Sequence, residues 1–541
     1  MLGFAGFLTD RNVRFTCLGR TGMSVVRVWD GQECPSYVFG TDRNVRCTFT
    51  GRTGMSVLRF GDWWFLMVSS RRSFLKTSAV VSVASVMGES LAGAGGFAGL
   101  GLLQQSPPGQ RPEQDSELGL LYPRGRIPAS FIIDDSTCLV NMGHFGIPQF
   151  RACYPDRPAY QKPWETFPRE IPDAFVREFG EWCSEQGVKG KYSIVPYPAC
   201  VGWLDRELPG WSRRALLESL GLVRDLLLPN WDIHPEMITH TRVIDLSSGR
   251  PLEDISPATM ENSWPQQPKS VDEIAAYLAY ALRILKNCGL PCEGVTTPGG
   301  FGNRVKPELS LAVQQAVRDV FRAEIPHFFK YVIGSEGTTD PLVEHVSGLG
   351  TDDVRLTVNI PAGTGDWFGG WEGDVLPEPD RYATADASAG RLVELIEAGQ
   401  PAFFLCHWPG LYSNGTKAGF RAFQRVVESV QSRYRDRLQW MKLSEVARYQ
   451  AARTLTAVRR DATGFVLDAP FACPDFTVEL PLSAAGGKVP VVWTNGEVLS
   501  LRSVADRTQL ISGTWTGSSE NRVLVCFPLA RGETRLGWKS E

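Results

Sequence analysis

The sequence predicts an α/β domain, built on a parallel sheet or a (β/α) barrel, followed by a small all-β domain. Between residues 127 and 450, short apolar stretches alternate with segments whose apolar residues recur at helical spacing. From residue 455 onward, the pattern changes to short alternating strands separated by Gly, Asn and Asp turns. Several strand candidates of the first region end in Asp, His or Thr, and the chemistry of (β/α) folds lies at such strand ends.

The individual elements follow this division in chain order. The strand candidates of the α/β region are SFIID, GKYSIVPY, WDIHPEMITH, CEGVTTPG, VRLTVNI and PAFFLCHW. The helix candidates, each with an apolar stripe, are DAFVREFGEWCSEQ, RRALLESLGLVRDLLL, SVDEIAAYLAYALRILKNCG, ELSLAVQQAVRDVFRAE, AGRLVELIEAG and GFRAFQRVVESVQSRY. Over residues 455–541, short strands such as DFTVELPL and NRVLVCFPL predict an antiparallel sandwich. We expect this sandwich to cover the α/β region rather than to bind glycans.

The composition is that of a globular protein with more than one folded unit. The chain has 541 residues, of which 43% are hydrophobic and 21% charged, and its net charge is -3. A phosphate-binding surface needs clustered Lys and Arg, and the sequence contains no basic block. These features argue against nucleic acid as the main partner.

Residues 67–94 have the pattern of a bacterial Tat export signal. Arg71 and Arg72 are followed by Ser-Phe-Leu-Lys and by the apolar run TSAVVSVASVMG, and an Ala-x-Ala cleavage site ends at Ala94. The apolar run is too short for a stable membrane span. We expect the Tat machinery to export the protein to the periplasm or the extracellular space of a bacterium.

The segments on either side of this signal are not expected to belong to the folded domains. Residues 1–66 contain TDRNVRFTCLGRTGMSVVR from Thr9, which returns in similar form from Thr41. Two short copies are too few to bury a core by stacking. Since Met67 stands where a start is expected, we interpret residues 1–66 as a misassigned, disordered start. Residues 95–126 are rich in Pro and Gln and predict a linker.

The stretch FIIDDSTCLVNMGHFG, residues 131–146, places Asp134 and Asp135 side by side at a strand end. Two adjacent carboxylates become tolerable when a cation lies beside one of them. His240 and His407 also close apolar strand candidates, and His is a usual metal ligand. Any one of these histidines alone is more often structural. Together with the Asp pair they favour a functional site.

These motifs, in this order, resemble the polysaccharide deacetylase (NodB-homology) superfamily over about residues 127–450. The resemblance rests on the Asp134-Asp135 strand end, on the stretch from Glu236 to Thr241, EMITHT, and on Leu-Cys-His ending at His407. It implies a distorted seven-stranded (β/α) barrel. It also implies that Asp134 is the catalytic base, that Asp135 and His240 bind a divalent metal, expected to be zinc, and that His407 is the general acid.

The resemblance further implies hydrolysis of N- or O-acyl groups on a carbohydrate. A metal-activated water attacks the carbonyl, Asp134 takes its proton and His407 protonates the leaving group. The loop TTPGGFG, with Thr297 and Gly299, permits close approach of the backbone to a substrate, although a plain turn explains it equally well. Trp408 and Tyr412 follow His407 and could stack on a sugar ring or pack at the rim of the domain.

Two departures from the family pattern concern the metal and the base. Ile244 stands where the family has its second metal-binding histidine. The loop TTPGGFG lacks the Arg that normally orients the base. The candidates for a third ligand are Asp245, His234 and His144.

Two other functions stay open on the sequence alone. One is a catalytically inactive relative that binds glycans without a metal. The other is a glycoside hydrolase, in which Asp134 or Asp135 pairs with a carboxylate such as Asp366 across a cleft. The position of His407 separates the removal of acyl groups from both of these functions: a histidine close to Asp134 and Asp135 supports the removal of acyl groups, and a remote one favours the other two.

Overall fold

The computed structural model describes residues 107–482, 488–494, 496–519 and 521–540, together with five short strands nearer the N-terminus. These five are β1 (Ser24–Val26), β2 (Tyr37–Phe39), β3 (Val45–Phe49), β4 (Met55–Phe60) and β5 (Trp63–Val68). Strand β1 pairs with β2, and β3, β4 and β5 form an antiparallel meander. Apart from Met67 and Val68 in β5, the predicted Tat signal lies outside the described residues. The interpretation of residues 1–66 as a misassigned start stays a prediction.

The second compact unit begins with an α/β region. Its strands, with one preceding strand, are β6 (Gly119–Leu120), β7 (Ile127–Asp134), β8 (Gly190–Ile194), β9 (Trp231–Pro235), β10 (Ile244–Asp245), β11 (Arg250–Pro251), β12 (Gly294–Thr296), β13 (His327–Phe329), β14 (Leu342–Ser347), β15 (Arg355–Asn359), β16 (Ala402–His407) and β17 (Leu438–Trp440). Its helices are α1 (Met142–Cys153), α2 (Asp173–Gln186), α3 (Arg213–Leu222), α4 (Val271–Asn287), α5 (Lys306–Phe321), α6 (Arg391–Glu397), α7 (Trp408–Tyr412), α8 (Ala418–Tyr434) and α9 (Leu443–Leu455).

Local signals in the sequence account for several of these boundaries. Helix α2 matches its sequence candidate and ends where Gly187 adopts a left-handed conformation, which glycine tolerates without a steric penalty. Helix α4 starts at a capping box, in which Ser270 and Glu273 each accept the other's backbone N–H. All residues of β7 are buried, as expected for a strand covered on both faces.

Two sheets carry the α/β region. One has the order β16-β7-β8-β9 and is entirely parallel, with β17 also alongside β7. The other has the order β12-β13-β15-β14, in which β14 alone is antiparallel. Two contacts connect these sheets. A bridge between Glu236 and Thr296 links the end of β9 to β12, and the N–H of Gly363, in the segment after β15, donates to Phe403 O of β16 at 2.7 Å. The region is therefore mixed α/β with several sheets, and one closed barrel stays a prediction.

Aromatic packing fills the space between β7 and the helices. Phe131 is completely buried, stacks on Phe423 of α8 at 4.3 Å between ring centroids, and contacts Phe404 of β16 at 4.7 Å. Truncating such a residue to Ala costs about 3–5 kcal/mol. This cluster holds β7 and β16 side by side, and both strands end in residues of the candidate site.

The C-terminal region is an antiparallel sandwich, as the sequence predicts. Its strands are β18 (Ala457–Arg460), β19 (Gly464–Ala469), β20 (Cys473–Pro481), β21 (Lys488–Thr494), β22 (Glu497–Ser500), β23 (Arg502–Ser503), β24 (Thr514–Ser519), β25 (Arg522–Leu529) and β26 (Gly532–Ser540). They form two sheets, β18-β19-β26-β21-β22 and β23-β24-β25-β20-β6, in which only the short β23–β24 pair is parallel.

The sandwich and the α/β region share a hydrophobic core. Tyr449 of α9 packs against Phe476 of β20 at 5.9 Å, and its hydroxyl accepts the N–H of Thr477. The segment expected to be a linker takes part as well, since β6 pairs with β20 and Gly109 pairs with Val346 of β14.

Among the described residues, no helix is both long and apolar enough to cross a membrane.

Candidate active site

The parallel register of β7 and β16 brings two predicted catalytic residues together. Asp134 ends β7, His407 ends β16, and the two residues are register partners. The ends of parallel strands meet at one edge of a sheet, so residues far apart in sequence become neighbours there. His407 therefore lies beside the Asp pair.

The cation beside Asp134 is a lysine of the neighbouring strand. Lys191 of β8 is 0% exposed, and its ammonium contacts Asp134 Oδ1. It also donates to Ile133 O at 2.8 Å and to Ser193 Oγ at 2.7 Å, so all three of its N–H groups are used. Burial raises the pKa of Asp134, while Lys191 opposes that rise. The sequence signal for this residue was a lone lysine inside the apolar candidate GKYSIVPY.

Asp135 belongs to a separate group of three potential metal ligands, which we call the strand-end cluster: Asp135, Glu236 and His240. Their donor atoms lie within 4.8 Å of one another. His240 Nε2 is 2.6 Å from Asp135 Oδ1 and 3.4 Å from Glu236 Oε1. The backbone N–H of Asp135 donates to Glu236 Oε2 at 2.7 Å, and Asp135 has a left-handed φ of 60°. This turn directs the Asp135 carboxylate away from Asp134 and towards Glu236 and His240.

The polar atoms of the strand-end cluster fit a metal ion. Asp135 is 1% exposed, yet neither of its carboxylate oxygens has a hydrogen-bond partner in the part of the chain that the structure describes. Its nearest polar neighbour is His240 Nε2, 2.6 Å from Asp135 Oδ1. A buried carboxylate needs a cation beside it, and a metal ion can supply that charge in place of the proton on His240. Two carboxylates and one imidazole are a donor set that zinc accepts.

A buried glutamate holds the loop that carries His240. The carboxylate of Glu261 accepts the backbone N–H groups of Ile238 at 3.2 Å, Thr239 at 3.0 Å and His240 at 2.5 Å, and the hydroxyl of Tyr277 at 2.5 Å. Burial raises the pKa of Glu261 to about 7 in spite of these donors. Strand β9 ends at Pro235, so His240 lies in a turn with φ 63° rather than at the predicted strand end. Glu261 therefore fixes the backbone that orients this ligand.

The charges around the two histidines favour their protonated forms. Burial alone would lower the pKa of His240, but Asp135 and Glu236 raise it well above its ordinary value. For His407, burial is outweighed by the hydrogen bond to Asp366 and by the charges of Asp135 and Asp134, which raise its pKa to about 10. A metal at the strand-end cluster would compete with the proton on His240.

Asp366 orients His407 rather than pairing with Asp134 across a cleft. His407 Nδ1 donates to Asp366 Oδ2 at 2.8 Å, and the backbone N–H of His407 donates to the same oxygen at 3.1 Å. The other oxygen accepts the N–H of Phe368 at 2.9 Å. The sequence identified Asp366 only as a possible glycosidase carboxylate. Its observed role fixes the His407 ring and leaves Nε2 for a substrate.

The remaining predicted residues are placed as follows. Thr297 is buried after β12 with its N–H donating to Phe329 O at 3.3 Å, and Gly299 is exposed with φ 44°. Tyr412 is half-buried and packs against Phe175 at 5.1 Å. Trp408 is 0% exposed and also contacts Phe175, at 4.9 Å. Trp408 thus lies in the core, in contrast to the predicted stacking on a sugar, because α7 begins directly after His407 and turns the indole inward.

The three suggested third ligands lie outside the strand-end cluster. Asp245 accepts hydrogen bonds from Ser247 and Ser248 in a surface turn, and His144 Nδ1 pairs with Phe167 O at 2.9 Å. His234 belongs to a second group of potential metal ligands, with Asp232 and His327. Glu236 holds the third position instead. It was visible as the acidic residue four positions before His240, but no spacing rule marked it as a ligand.

An aromatic wall lies next to the strand-end cluster. Phe150 is 6.3 Å from the His240 ring and 5.5 Å from Trp371 between centroids. Tyr160 stacks on Phe150 at 5.2 Å and lies 6.0 Å from Trp371. Tyr160 and Trp371 are both partly exposed. Aromatic rings of this kind offer the flat apolar surface that a sugar ring needs.

Comparisons with known proteins add little to this geometry. No family model matches the chain, and no curated protein matches it. Among solved structures, the chain is similar to a candidate glycoside hydrolase/deacetylase from Parabacteroides distasonis, with a TM-score of 0.33 and 10% identity over 63% of this chain and 76% of that one. A likeness at this TM-score and identity establishes neither a shared fold nor a shared function.

Proposed function

We propose that the protein is a metal-dependent hydrolase that removes N- or O-acyl groups from a carbohydrate. The observation that carries the proposal is the pairing of Asp134 with His407 across β7 and β16, directly beside the strand-end cluster. A base, an acid and an open set of metal ligands are the parts that amide or ester hydrolysis requires. The same proposal includes a distorted (β/α) barrel formed by the two α/β sheets. It also includes export by the Tat machinery, directed by residues 67–94.

Asp135, Glu236 and His240 are the residues that would hold the metal. Three protein ligands leave a further coordination position open, as in catalytic zinc sites. When bound, the metal would supply Lewis-acid chemistry that lowers the pKa of water and polarises the acyl carbonyl. Ile244 is no obstacle to this set, because Glu236 supplies the ligand that the family pattern takes from a second histidine.

Asp134 and His407 carry the proton transfers. Lys191 engages Asp134 Oδ1, which leaves Oδ2 to accept the proton of the attacking water. His407 is protonated because of Asp366, Asp135 and Asp134, and its Nε2 delivers a proton to the leaving amine or alcohol. Lys191 also provides the cation beside the base, a role that the missing Arg of the TTPGGFG loop would otherwise have. Tyr160 and Trp371 support a carbohydrate as the group that carries the acyl chain.

The test measures acetate release from N-acetylated and O-acetylated oligosaccharides by the full chain, with added ZnCl2 and with a chelator. Acetate release that the chelator abolishes, with the sugar chains left intact, is the expected result. Shortened chains without acetate release would instead identify a glycoside hydrolase. Binding of the oligosaccharides without any product would identify the inactive glycan-binding relative.

A further inference from the structure

A second group of metal-ligating side chains lies on β9 and β13, and we call it the inner cluster: Asp232, His234 and His327. Their donor atoms also lie within 4.8 Å of one another. His234 and His327 are completely buried, while the Asp232 side chain is 11% exposed. Asp232 and His234 alternate with apolar Trp231 and Ile233 along β9, so they share one face of the strand.

A glycine makes room for the two imidazoles to meet. Gly294 of β12 is the register partner of His327, and β12 lies between β13 and the end of β9. A Cβ atom at Gly294 would lie 2.5 Å from His234 Nε2 and 2.7 Å from His327 Cδ2. Any other residue would therefore push the rings apart. The two Nε2 atoms are 3.0 Å from each other.

The hydrogen bonds of the rings direct nitrogen lone pairs into the cluster. His327 Nδ1 lies 3.4 Å from Ile325 O, and a carbonyl only accepts, so this nitrogen carries the hydrogen and Nε2 presents a lone pair. His234 Nδ1 contacts Thr296 Oγ1 at 3.3 Å, and because a hydroxyl can accept as well as donate, this contact also permits a lone pair on His234 Nε2 when a metal is bound. Metal-binding histidines typically make this outer contact, which orients the inner nitrogen towards the ion.

The carboxylate of Asp232 completes the set. Asp232 Oδ2 is 4.0 Å from His327 Nε2 and accepts the N–H of Ser444 in the first turn of α9. Ligands of a tetrahedral zinc ion with bonds near 2.0–2.1 Å lie about 3.3 Å apart. The observed separations of 3.0 Å and 4.0 Å bracket that value. Two lysines oppose binding: Lys442 Nζ lies 3.8 Å from Asp232 Oδ1, and the charge of the buried Lys191 on the neighbouring strand acts on His234.

We propose that Asp232, His234 and His327 bind a divalent cation, zinc by their ligand chemistry, at a site distinct from the strand-end cluster. The ion ties β9 to β13 and, through the contact of Asp232 with Ser444, to α9, which packs on the sandwich. Its role is structural, because both histidines are closed off from solvent. The proposal does not depend on the proposed catalytic activity.

The test uses a protein whose strand-end cluster has been disabled by Asp135→Asn and His240→Gln together. After treatment with a chelator, the protein is incubated with ZnCl2 and dialysed, and its zinc content is measured by elemental analysis. About one zinc ion per chain is expected, falling to less than about one-tenth when His327→Gln or Asp232→Asn is added. Zinc is also expected to raise the melting temperature only while the inner cluster is intact.

The added substitution His345→Gln is the matched control, since His345 is a half-buried histidine of β14 outside both clusters. It is expected to leave the zinc content unchanged. Absence of zinc in the Asp135→Asn/His240→Gln protein overturns the proposal, as does an equal zinc content with and without Asp232→Asn. If His327→Gln prevents folding, as judged by circular dichroism, Asp232→Asn decides alone. Failure of the proposed hydrolase would appear as missing acetate release and would leave these zinc measurements unaffected.

Discussion

The strand-end cluster and the inner cluster use the same strand but differ in how their polar atoms are satisfied. Asp232, His234 and Glu236 alternate along β9 and its continuation, so one face of this segment supplies both clusters. In the strand-end cluster, buried carboxylate oxygens of Asp135 lack hydrogen-bond partners among the residues that the structure describes. In the inner cluster, each imidazole has a contact at both nitrogens.

The two clusters also differ in the protonation of their histidines. Asp135 and Glu236 raise the pKa of His240 well above its ordinary value. Without a metal, the strand-end cluster therefore binds a proton on His240. Burial lowers the pKa of His234 well below its ordinary value and that of His327 to about 4, so both imidazoles of the inner cluster stay neutral. A cluster with two buried carboxylates gains more from a divalent metal than a cluster with one carboxylate and two neutral imidazoles. We therefore expect zinc to bind the strand-end cluster more tightly than the inner one.

The largest expected effect concerns the base beside the strand-end cluster. Asp134→Asn should lower kcat/KM for acetyl release by about 10²–10⁴-fold, because a neutral amide cannot accept the proton of water. Steady-state kinetics with the zinc-loaded protein measure it. Asp245→Asn is the matched control in a surface turn and should have little effect. A wild-type rate in the Asp134→Asn protein would assign the chemistry elsewhere.

Lys191 lies between the two clusters, and its removal should destabilise the fold. Lys191→Met leaves the buried Asp134 carboxylate without its cation, which costs about 3–5 kcal/mol of unfolding free energy. Urea denaturation at pH 7 measures this change. Lys189→Met is the control, because Lys189 is a more exposed lysine paired with Glu445 and should cost about 0–1 kcal/mol. Equal effects of the two substitutions would contradict the role assigned to Lys191.

The residues that hold the ligands of the two clusters in place should act independently of each other. Glu261→Gln loosens the turn that carries His240 and should weaken zinc at the strand-end cluster by about 10–100-fold. Ser444→Ala removes the hydroxyl that donates to Asp232 at 2.9 Å and should weaken only the inner cluster. Zinc titrations of proteins that retain one cluster each measure both effects. If either substitution changed both affinities, the clusters could not be treated as separate.

The smallest expected effect is a displaced pH profile. His407 must be protonated to act as the acid, so activity should fall as the pH rises through its raised pKa of about 10. Asp366→Asn removes the carboxylate that raises this pKa and should move the alkaline limb of kcat to lower pH. The acid limb, which reports Asp134, should stay in place. A profile of kcat against pH between 5 and 11, roughly the range of these groups, measures the shift. An unmoved alkaline limb would remove His407 from the role of acid.

Long periodic segments were the part of the fold that the sequence predicted best. The candidate DAFVREFGEWCSEQ is α2 itself, and the alternating strands after residue 455 form the sandwich. Two of the missed elements show different reasons for the failure. Strand β13 has only three residues, too few to show a period, and α1 contains Pro148, which disguises a helix. The loss of β13 mattered because His327, at its start, was never considered as a ligand.

The sequence by itself determined that carboxylates and histidines stand at or just beyond strand ends, because local alternation of apolar and polar residues is a short-range property. It identified Asp134, Asp135, His240 and His407 on that basis. The tertiary structure alone decided that Lys191 neutralises Asp134, that Glu236 joins the metal ligands and that Asp366 orients His407. These pairings depend on the register of strands that are distant in sequence, and burial makes each of them strong. Trp408 shows the same limit, since adjacency to His407 in the chain did not place its ring beside the site.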